Sequence, residues 1–296
     1  MSSAATMLLP ILLATLVPFT HAHMCLSWPR PYDAAALVDA RGPLNHTSEY
    51  PCKLQTYALS GDDHLATNTL RVDTAYALSF HPTAAVHHGG ACQLSLTLDA
   101  APTNASVFKV FHTILGGCPG VDNDFDARNQ TFALPAAAVP AGPAVLALSW
   151  WPVASGAPEM YMNCAPVEVV GGLDRGSPAM DAFWALPDAL VANLGVSDEG
   201  GVGVVEEQEE MGRRQWDLIA REGRMPRCRR RQGAGGNWNA ILKVPSPGRS
   251  VAYGENPYGW PLVAPEGECG VWGVGPEGYW EVDGEEETSS EIRGEV

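Results

Sequence analysis

The chain has 296 residues, among them 7 cysteines, 31 glycines and 24 prolines, and its formal net charge is −16. This length is sufficient for one large domain, alone or with appended segments. The negative charge argues against nucleic acid and anionic membrane surfaces as partners, since both attract basic proteins, and it leaves a neutral polysaccharide open.

Residues 1–22 are predicted to be a secretory signal peptide. The almost wholly apolar run from Met7 to Phe19 is too short to span a bilayer but fits the core of such a signal. Ala22 offers a small residue at the cut, and no later stretch is apolar enough to anchor the chain in a membrane. We therefore expect a secreted, extracellular, glycosylated monomer with mostly paired cysteines. Glycosylation sequons begin at Asn45, Asn104 and Asn129.

The segment from 23 to 199 is predicted to be a β-sandwich domain. It starts with a loop-rich region, and from Thr67 to about Val170 short apolar runs alternate with Gly and Pro. Candidate strands are Leu70–Phe80, Ala91–Leu98, Val107–Leu115, Ala144–Trp151 and Met160–Val170. This pattern predicts an all-β fold, an immunoglobulin/fibronectin-III-like antiparallel β-sandwich with long loops.

The rest of the chain is expected to be less regular. Pro178 to Leu194 can hold a short helix. Residues 200–236 carry an acidic run and an arginine cluster around Cys228, which is typical of a poorly ordered insertion or linker. Residues 237–254 regain strand character as a last segment of the sandwich. Residues 255–296 are predicted to form a poorly ordered tail rich in Gly, Glu and Trp.

A metal site is suggested by the start of the mature chain. If cleavage follows Ala22, His23 offers an α-amine and an imidazole to one ion, and one more imidazole completes the nitrogen set that copper(II) prefers. The candidates for it are His46, His64, His81, His87, His88 and His112. His112 lies in a strand-like run and is expected to be packed or hydrogen-bonded. His87 and His88 share a turn before two glycines, and chemistry alone does not choose between them.

A third feature is the run from Glu159 to Cys164. On a strand, Glu159, Tyr161 and Asn163 face one way, and Met160, Met162 and Cys164 face the other. A phenol and a carboxylate on one face can serve a metal as axial ligand and as hydrogen-bonding neighbour. An alternative is a surface carboxylate beside an ordinary strand tyrosine.

Together these pieces resemble the copper-dependent lytic polysaccharide monooxygenases of auxiliary-activity family eleven, which are fungal and act on chitin. The matching segments are His23-Met24, Pro29-Arg30-Pro31-Tyr32, Tyr50-Pro51-Cys52-Lys53, Ala85-Val86-His87, Gly89 to Leu96, Phe108-Lys109-Val110, Gly116-Gly117-Cys118-Pro119 and Tyr161 to Val167. The chain departs from the family pattern at Cys25 and His88, around Trp151-Pro152 and across residues 200–236.

The resemblance implies one copper ion held by His23, His87 and Tyr161. It assigns Glu159 to the surroundings of the metal and Ala85 to the axial side opposite the phenol. It further implies disulfides between Cys92 and Cys118 and between Cys52 and Cys164, which leaves Cys25, Cys228 and Cys269 over.

The expected activity is oxidative cleavage of glycosidic bonds in chitin or chitooligosaccharides. Dioxygen or hydrogen peroxide would be the co-substrate, with an external electron donor as reductant. The alternatives are a secreted copper-binding protein without oxygenase turnover and a metal-free sugar-binding or protein-binding module. No pair of acid and base carboxylates stands out, so hydrolysis is the poorer enzyme hypothesis.

Overall fold

The structure is a computed structural model that describes residues 26–32, 42–44, 49–53, 67–81, 86–121, 130–153, 159–194, 228–230 (backbone only) and 239–267. The signal peptide, His23, Ala85, Asn45 and Asn129 lie outside these ranges. So do Cys25, Cys269, nearly all of the expected insertion and the tail beyond residue 267. Within the described ranges no helix is both long and apolar enough to span a membrane.

Strands account for most of the regular structure. In chain order they are β1 (Leu26–Trp28), β2 (Thr69–Arg71), β3 (Tyr76–Ala77), β4 (Ser79–Phe80), β5 (Gly90–Thr97), β6 (Lys109–Leu115), β7 (Thr131–Phe132), β8 (Gly142–Pro152), β9 (Tyr161–Val170), β10 (Cys228–Arg230), β11 (Ile241–Leu242), β12 (Val251–Tyr253), β13 (Leu262–Val263) and β14 (Pro265–Gly267). A 3₁₀ turn, Pro178–Met180, leads into one short helix, α1 (Asp181–Trp184).

The body of the fold is a six-stranded sheet with the order β12-β6-β5-β8-β9-β2. Its four inner strands pair antiparallel, and the pairing of β8 with β9 runs from Gly142↔Val169 to Trp150↔Tyr161. The all-β class is therefore confirmed. The two outer strands differ from the antiparallel expectation, because β2 pairs parallel with β9 and β12 pairs parallel with β6.

Both faces of this sheet are buried, each under a different layer. On one face, Leu94, Leu148 and Val167 form a cluster with Leu26 and Phe132, which belong to the two-stranded sheets β1-β4 and β3-β7. These small sheets make the second layer of the sandwich. The other face is covered mostly by irregular segments, whose buried residues include Tyr32, Leu44, Tyr50, Leu190 and Ala192, and by Leu242 of β11.

One disulfide ties a covering segment to the sheet, and a second links two neighbouring strands within it. Cys52 of a covering segment is bonded to Cys164 of β9, and Cys92 of β5 is bonded to Cys118 just after β6. Both pairings that the family resemblance implied are present in the structure.

The structure is more regular than expected near the tail, and the short helix expected before it is present. The helix sought within Pro178 to Leu194 is limited to α1, because the chain turns at Pro187 and accepts a 2.7 Å hydrogen bond there from the backbone of Val110. In the expected tail, β13 pairs with β11, and β14 pairs with β10 of the expected insertion. Residues 255–267 thus form defined structure.

Candidate metal centre

The candidate residues meet at one end of the six-stranded sheet, where β5 begins, β8 ends and β9 begins. Gly90, the first residue of β5, lies opposite Pro152, and Trp150 lies opposite Tyr161. Because the inner strands are antiparallel, these termini lie together at one end of the sheet. We call this end of the sheet the site end.

The turn that carries the paired histidines is tight and left-handed. Gly89 donates a 2.7 Å backbone hydrogen bond to Val86, and φ is +44° at His87 and +59° at His88. Two successive non-glycine residues in this region are uncommon, and such strain concentrates at functional sites. Gly90 then fits against β8 so closely that an added Cβ would lie 2.1 Å from the carbonyl oxygen of Trp151.

The two histidine rings have different aromatic neighbours. The ring centroid of His87 lies 5.8 Å from that of Trp150 and 6.5 Å from that of Tyr161, and Trp150 and Tyr161 are themselves 4.7 Å apart. The ring of His88 instead meets Tyr258 edge-on, at 5.1 Å. His87 is therefore the histidine of the pair that lies beside Tyr161.

Glu159 and Tyr161 are joined directly. The phenol of Tyr161 donates a 2.9 Å hydrogen bond to Oε2 of Glu159, and Asn193 Nδ2 donates to the backbone carbonyl of Glu159 at 3.2 Å. The carboxylate therefore holds the phenol in a fixed orientation. A carboxylate hydrogen-bonded to a side chain in this way could orient that side chain toward a metal.

The alternation predicted for this run is confirmed. Tyr161 packs in the cluster under the small sheets, whereas Met160, Met162 and Cys164 pack in the cluster on the opposite face.

Strand β1 lies beside the first residues of β9, close to the site end. The backbone N–H of Leu26 donates a 2.8 Å bond to Asn163 Oδ1, two residues from Tyr161. Four residues later, Arg30 is hydrogen-bonded to Asn68, whose side chain also donates to the carbonyl of Pro166. Tyr32 in turn donates a 3.0 Å backbone hydrogen bond to the carbonyl of Cys164, so residues 26–32 lie beside β9.

Of the other candidates from the sequence, His46 and His64 lie outside the described residues. His112 is buried on β6, and its Nδ1 lies 2.7 Å from the hydroxyl of Ser250, as expected for a hydrogen-bonded core histidine. Burial lowers the pKa of His112, partly opposed by a backbone hydrogen bond at Thr131. His81 follows β4, and Asn104 is exposed on a turn, as a glycan acceptor must be.

Two contributors to the site were not identified from the sequence. Trp150 is fully buried and contacts both His87 and Tyr161, and Asn163 anchors the start of β1. Asn163 had been placed on the same face as Tyr161, but its partner Leu26 is 137 residues away in the chain. The signal for Trp150 was its position on a strand next to the one that carries Tyr161.

His87 and Tyr161 fit part of a copper site, since an imidazole nitrogen and a phenol oxygen at this separation can reach a common ion. Among the residues that the structure describes, no group of three or more His, Cys, Asp or Glu side chains could hold a metal. His23, the other ligand expected from the sequence, lies outside the described residues, three positions before Leu26.

Comparison with known proteins gives consistent relatives, although no family model matches the chain. It is 37% identical over 164 residues to an AA11 family lytic polysaccharide monooxygenase of Aspergillus oryzae, covering 52% of this chain and 37% of that one. Two AA11 family lytic polysaccharide monooxygenases of Aspergillus fumigatus are 32% and 34% identical, over 62% and 64% of this chain. The chain spans 46% of the first of these and 80% of the second.

The chain therefore spans less than half the length of the first two relatives. Among solved structures, the crystal structure of HiLPMO9B aligns with 48% of this chain and 68% of its own, at 17% identity and a TM-score of 0.34.

Proposed function

Because this chain belongs to the AA11 family of lytic polysaccharide monooxygenases, we propose that it is a secreted copper enzyme that cleaves chitin or chitooligosaccharides by oxidation. The observation that carries this proposal is the cluster of His87, Tyr161 and Glu159 at the site end. It combines an imidazole on a strained turn with a phenol whose proton is held by a carboxylate.

The proposed ligands are the amine and ring of His23, the ring of His87 and the phenol oxygen of Tyr161. Chain connectivity supports His23, because three residues span at most about 11 Å and Leu26 is bonded to Asn163 beside Tyr161. Ala85, two residues before His87, is proposed to line the axial side opposite Tyr161.

Bound copper supplies one-electron chemistry with dioxygen or hydrogen peroxide, at the expense of an external reductant. The chain's own residues orient and protect that chemistry. The turn of Val86 to Gly89 fixes the His87 ring, and Glu159 holds the phenol proton of Tyr161. Trp150, fully buried behind both rings, excludes water from the inner side of the site.

Secretion is supported by chemistry as well as by the apolar start of the chain. Two disulfides fit an oxidising compartment. We propose the signal at residues 1–22, a catalytic domain from residue 23 that functions as a monomer, and glycans at Asn45, Asn104 and Asn129.

The decisive experiment uses mature protein with an authentic His23 terminus. Native mass spectrometry should show one copper ion per chain, and incubation with chitin, copper and ascorbate should release oxidised oligosaccharides. His87→Ala should abolish both results, and so should a residue left ahead of His23. His64→Ala, a histidine outside the proposed ligand set, is the matched control and should keep both.

The outcomes separate the alternatives. Stoichiometric copper without oxidised products would indicate a copper-binding protein that lacks turnover. Absence of copper binding by the wild-type chain would leave only a sugar-binding or protein-binding module. Full activity in His87→Ala would remove His87 from the site.

A further inference from the structure

An exposed aromatic turn, residues 254–260, lies beside the candidate metal centre. It follows β12, whose Tyr253 pairs with Leu115 at the end of β6, and Gly254 then donates a 3.0 Å hydrogen bond to Leu115. The backbones are in such close contact that a Cβ on Gly254 would lie 2.0 Å from the carbonyl oxygen of Gly116. The turn is therefore fixed to the site end.

The turn is also internally rigid. Asn256 accepts a 2.8 Å hydrogen bond from the backbone N–H of Trp260 and donates another of 2.8 Å to the Trp260 carbonyl. Trp260 packs against the hydrophobic cluster on one face of the sheet, whereas Tyr258 is 45% exposed. The half-buried indole of Trp260 anchors a turn in which the Tyr258 ring is exposed to solvent.

The exposed ring of Tyr258 lies next to the turn that carries the proposed copper ligand His87. Tyr258 contacts the His88 ring edge-on, with centroids 5.1 Å apart and planes at 81°. His88 directly follows His87 in the chain, and Gly89 packs against Gly117, which also lies at the site end. A chain of sugar units lying over His87 therefore has Tyr258 as its neighbouring surface.

We propose that Tyr258, oriented by His88, is a stacking platform for an uncharged polysaccharide whose next units lie over His87. The inference rests on the proposed function, because it takes the same polymer as the occupant. Aromatic rings with a polar tip suit surfaces that are partly apolar and partly wet, which describes the C–H face and the hydroxyl rim of a pyranose. The formal net charge of −16 of the whole chain disfavours a polyanionic partner.

The test measures binding of the copper-loaded full mature chain to insoluble chitin without reductant, so that no turnover occurs. Tyr258→Ala should weaken binding about two- to twelvefold, the range expected for loss of one aromatic stacking contact. Tyr258→Phe keeps the ring and should bind within about twofold of wild type. Trp184→Ala is the matched control, because Trp184 is 50% exposed on α1, near Asp188, which bridges to the opposite end of β6.

Copper stoichiometry and thermal unfolding of each variant show whether the site and the fold are intact. Weaker binding in Tyr258→Ala with intact copper loading, and unchanged binding in Trp184→Ala, support the platform. Equal binding of wild type and Tyr258→Ala overturns it, as does a wild-type chain that does not bind chitin. If the wild type binds chitin through Tyr258 but releases no oxidised product, the proposed oxidation fails while the platform stands.

Discussion

Replacing Lys109 by Met should be among the most destabilising single changes outside the hydrophobic clusters. Lys109 Nζ lies 2.6 Å from Asp188 Oδ1, and the two side chains are only 10% and 4% exposed. Removing one member of such a pair leaves a buried, uncompensated charge, which costs about 3–5 kcal/mol. Burial raises the pKa of the Tyr50 phenol, and the nearby Asp188 carboxylate raises it further. Asp188 therefore lies close to a second buried group besides Lys109.

The prediction is measured by equilibrium urea unfolding with disulfides intact. With a slope of about 2–3 kcal/mol per molar urea, the midpoint should fall by about 1–2.5 M in Lys109→Met. The double variant Lys109→Met/Asp188→Asn removes both charges and should recover most of the loss. Lys243→Met, at an exposed position, should stay within about 0.5 kcal/mol of wild type. A double variant no more stable than the single one would refute the account by charge burial.

Three further changes test other parts of the fold. Burial lowers the pKa of His112 below 6.5, so the unfolded chain binds more protons and stability should fall as pH drops below about 6.5. Urea unfolding at several pH values should show a weaker pH dependence in His112→Asn. The same pH dependence in the variant and the wild type would contradict this. Replacing Cys52 and Cys164 by Ala removes a disulfide between residues 112 positions apart and should lower the free energy of unfolding by about 5 kcal/mol. The Tm should fall, and an unchanged Tm would show that the disulfide contributes little. His88→Gly should relieve the strain of the left-handed backbone and raise the free energy of unfolding by under about 1 kcal/mol. Chitin binding should weaken, because Tyr258 loses the ring it contacts. A marked loss of stability would show that the ring contact outweighs the strain.

The long inner strands could be predicted because each carries its own signal. The candidate strand Ala91–Leu98 overlaps β5 over Ala91–Thr97. The alternation predicted from Glu159 to Cys164 assigned Tyr161 to one face and Met160, Met162 and Cys164 to the other, as observed. Periodicity is a local property, so it survives without knowledge of the partner strand. The disulfides needed more than that, and their pairing followed from the resemblance to a family.

The pairing of the outer strands and the end of the helix could not be predicted, because both depend on distant partners. β2 and β12 have three residues each, too few to show a period, and their parallel pairing is set by β9 and β6. Likewise α1 stops because the following segment pairs with the start of β6, where Ala189 donates to the carbonyl of Phe108 at 2.8 Å.

The adjacent histidines show why the candidate site was harder to predict than the sheet. His87 and His88 share a turn, and neither strand nor helix periodicity applies to a left-handed pair, so their side chains carry no sequence signal of direction. Packing separates them: His87 lies with Trp150 and Tyr161, and His88 lies against Tyr258, 170 positions later in the chain. If the proposals are correct, His87→Ala should remove copper, whereas His88→Gly should leave copper bound and weaken only the hold on the polymer. Loss of copper in both variants would mean that the turn acts as one unit and that the division between ligand and platform is wrong.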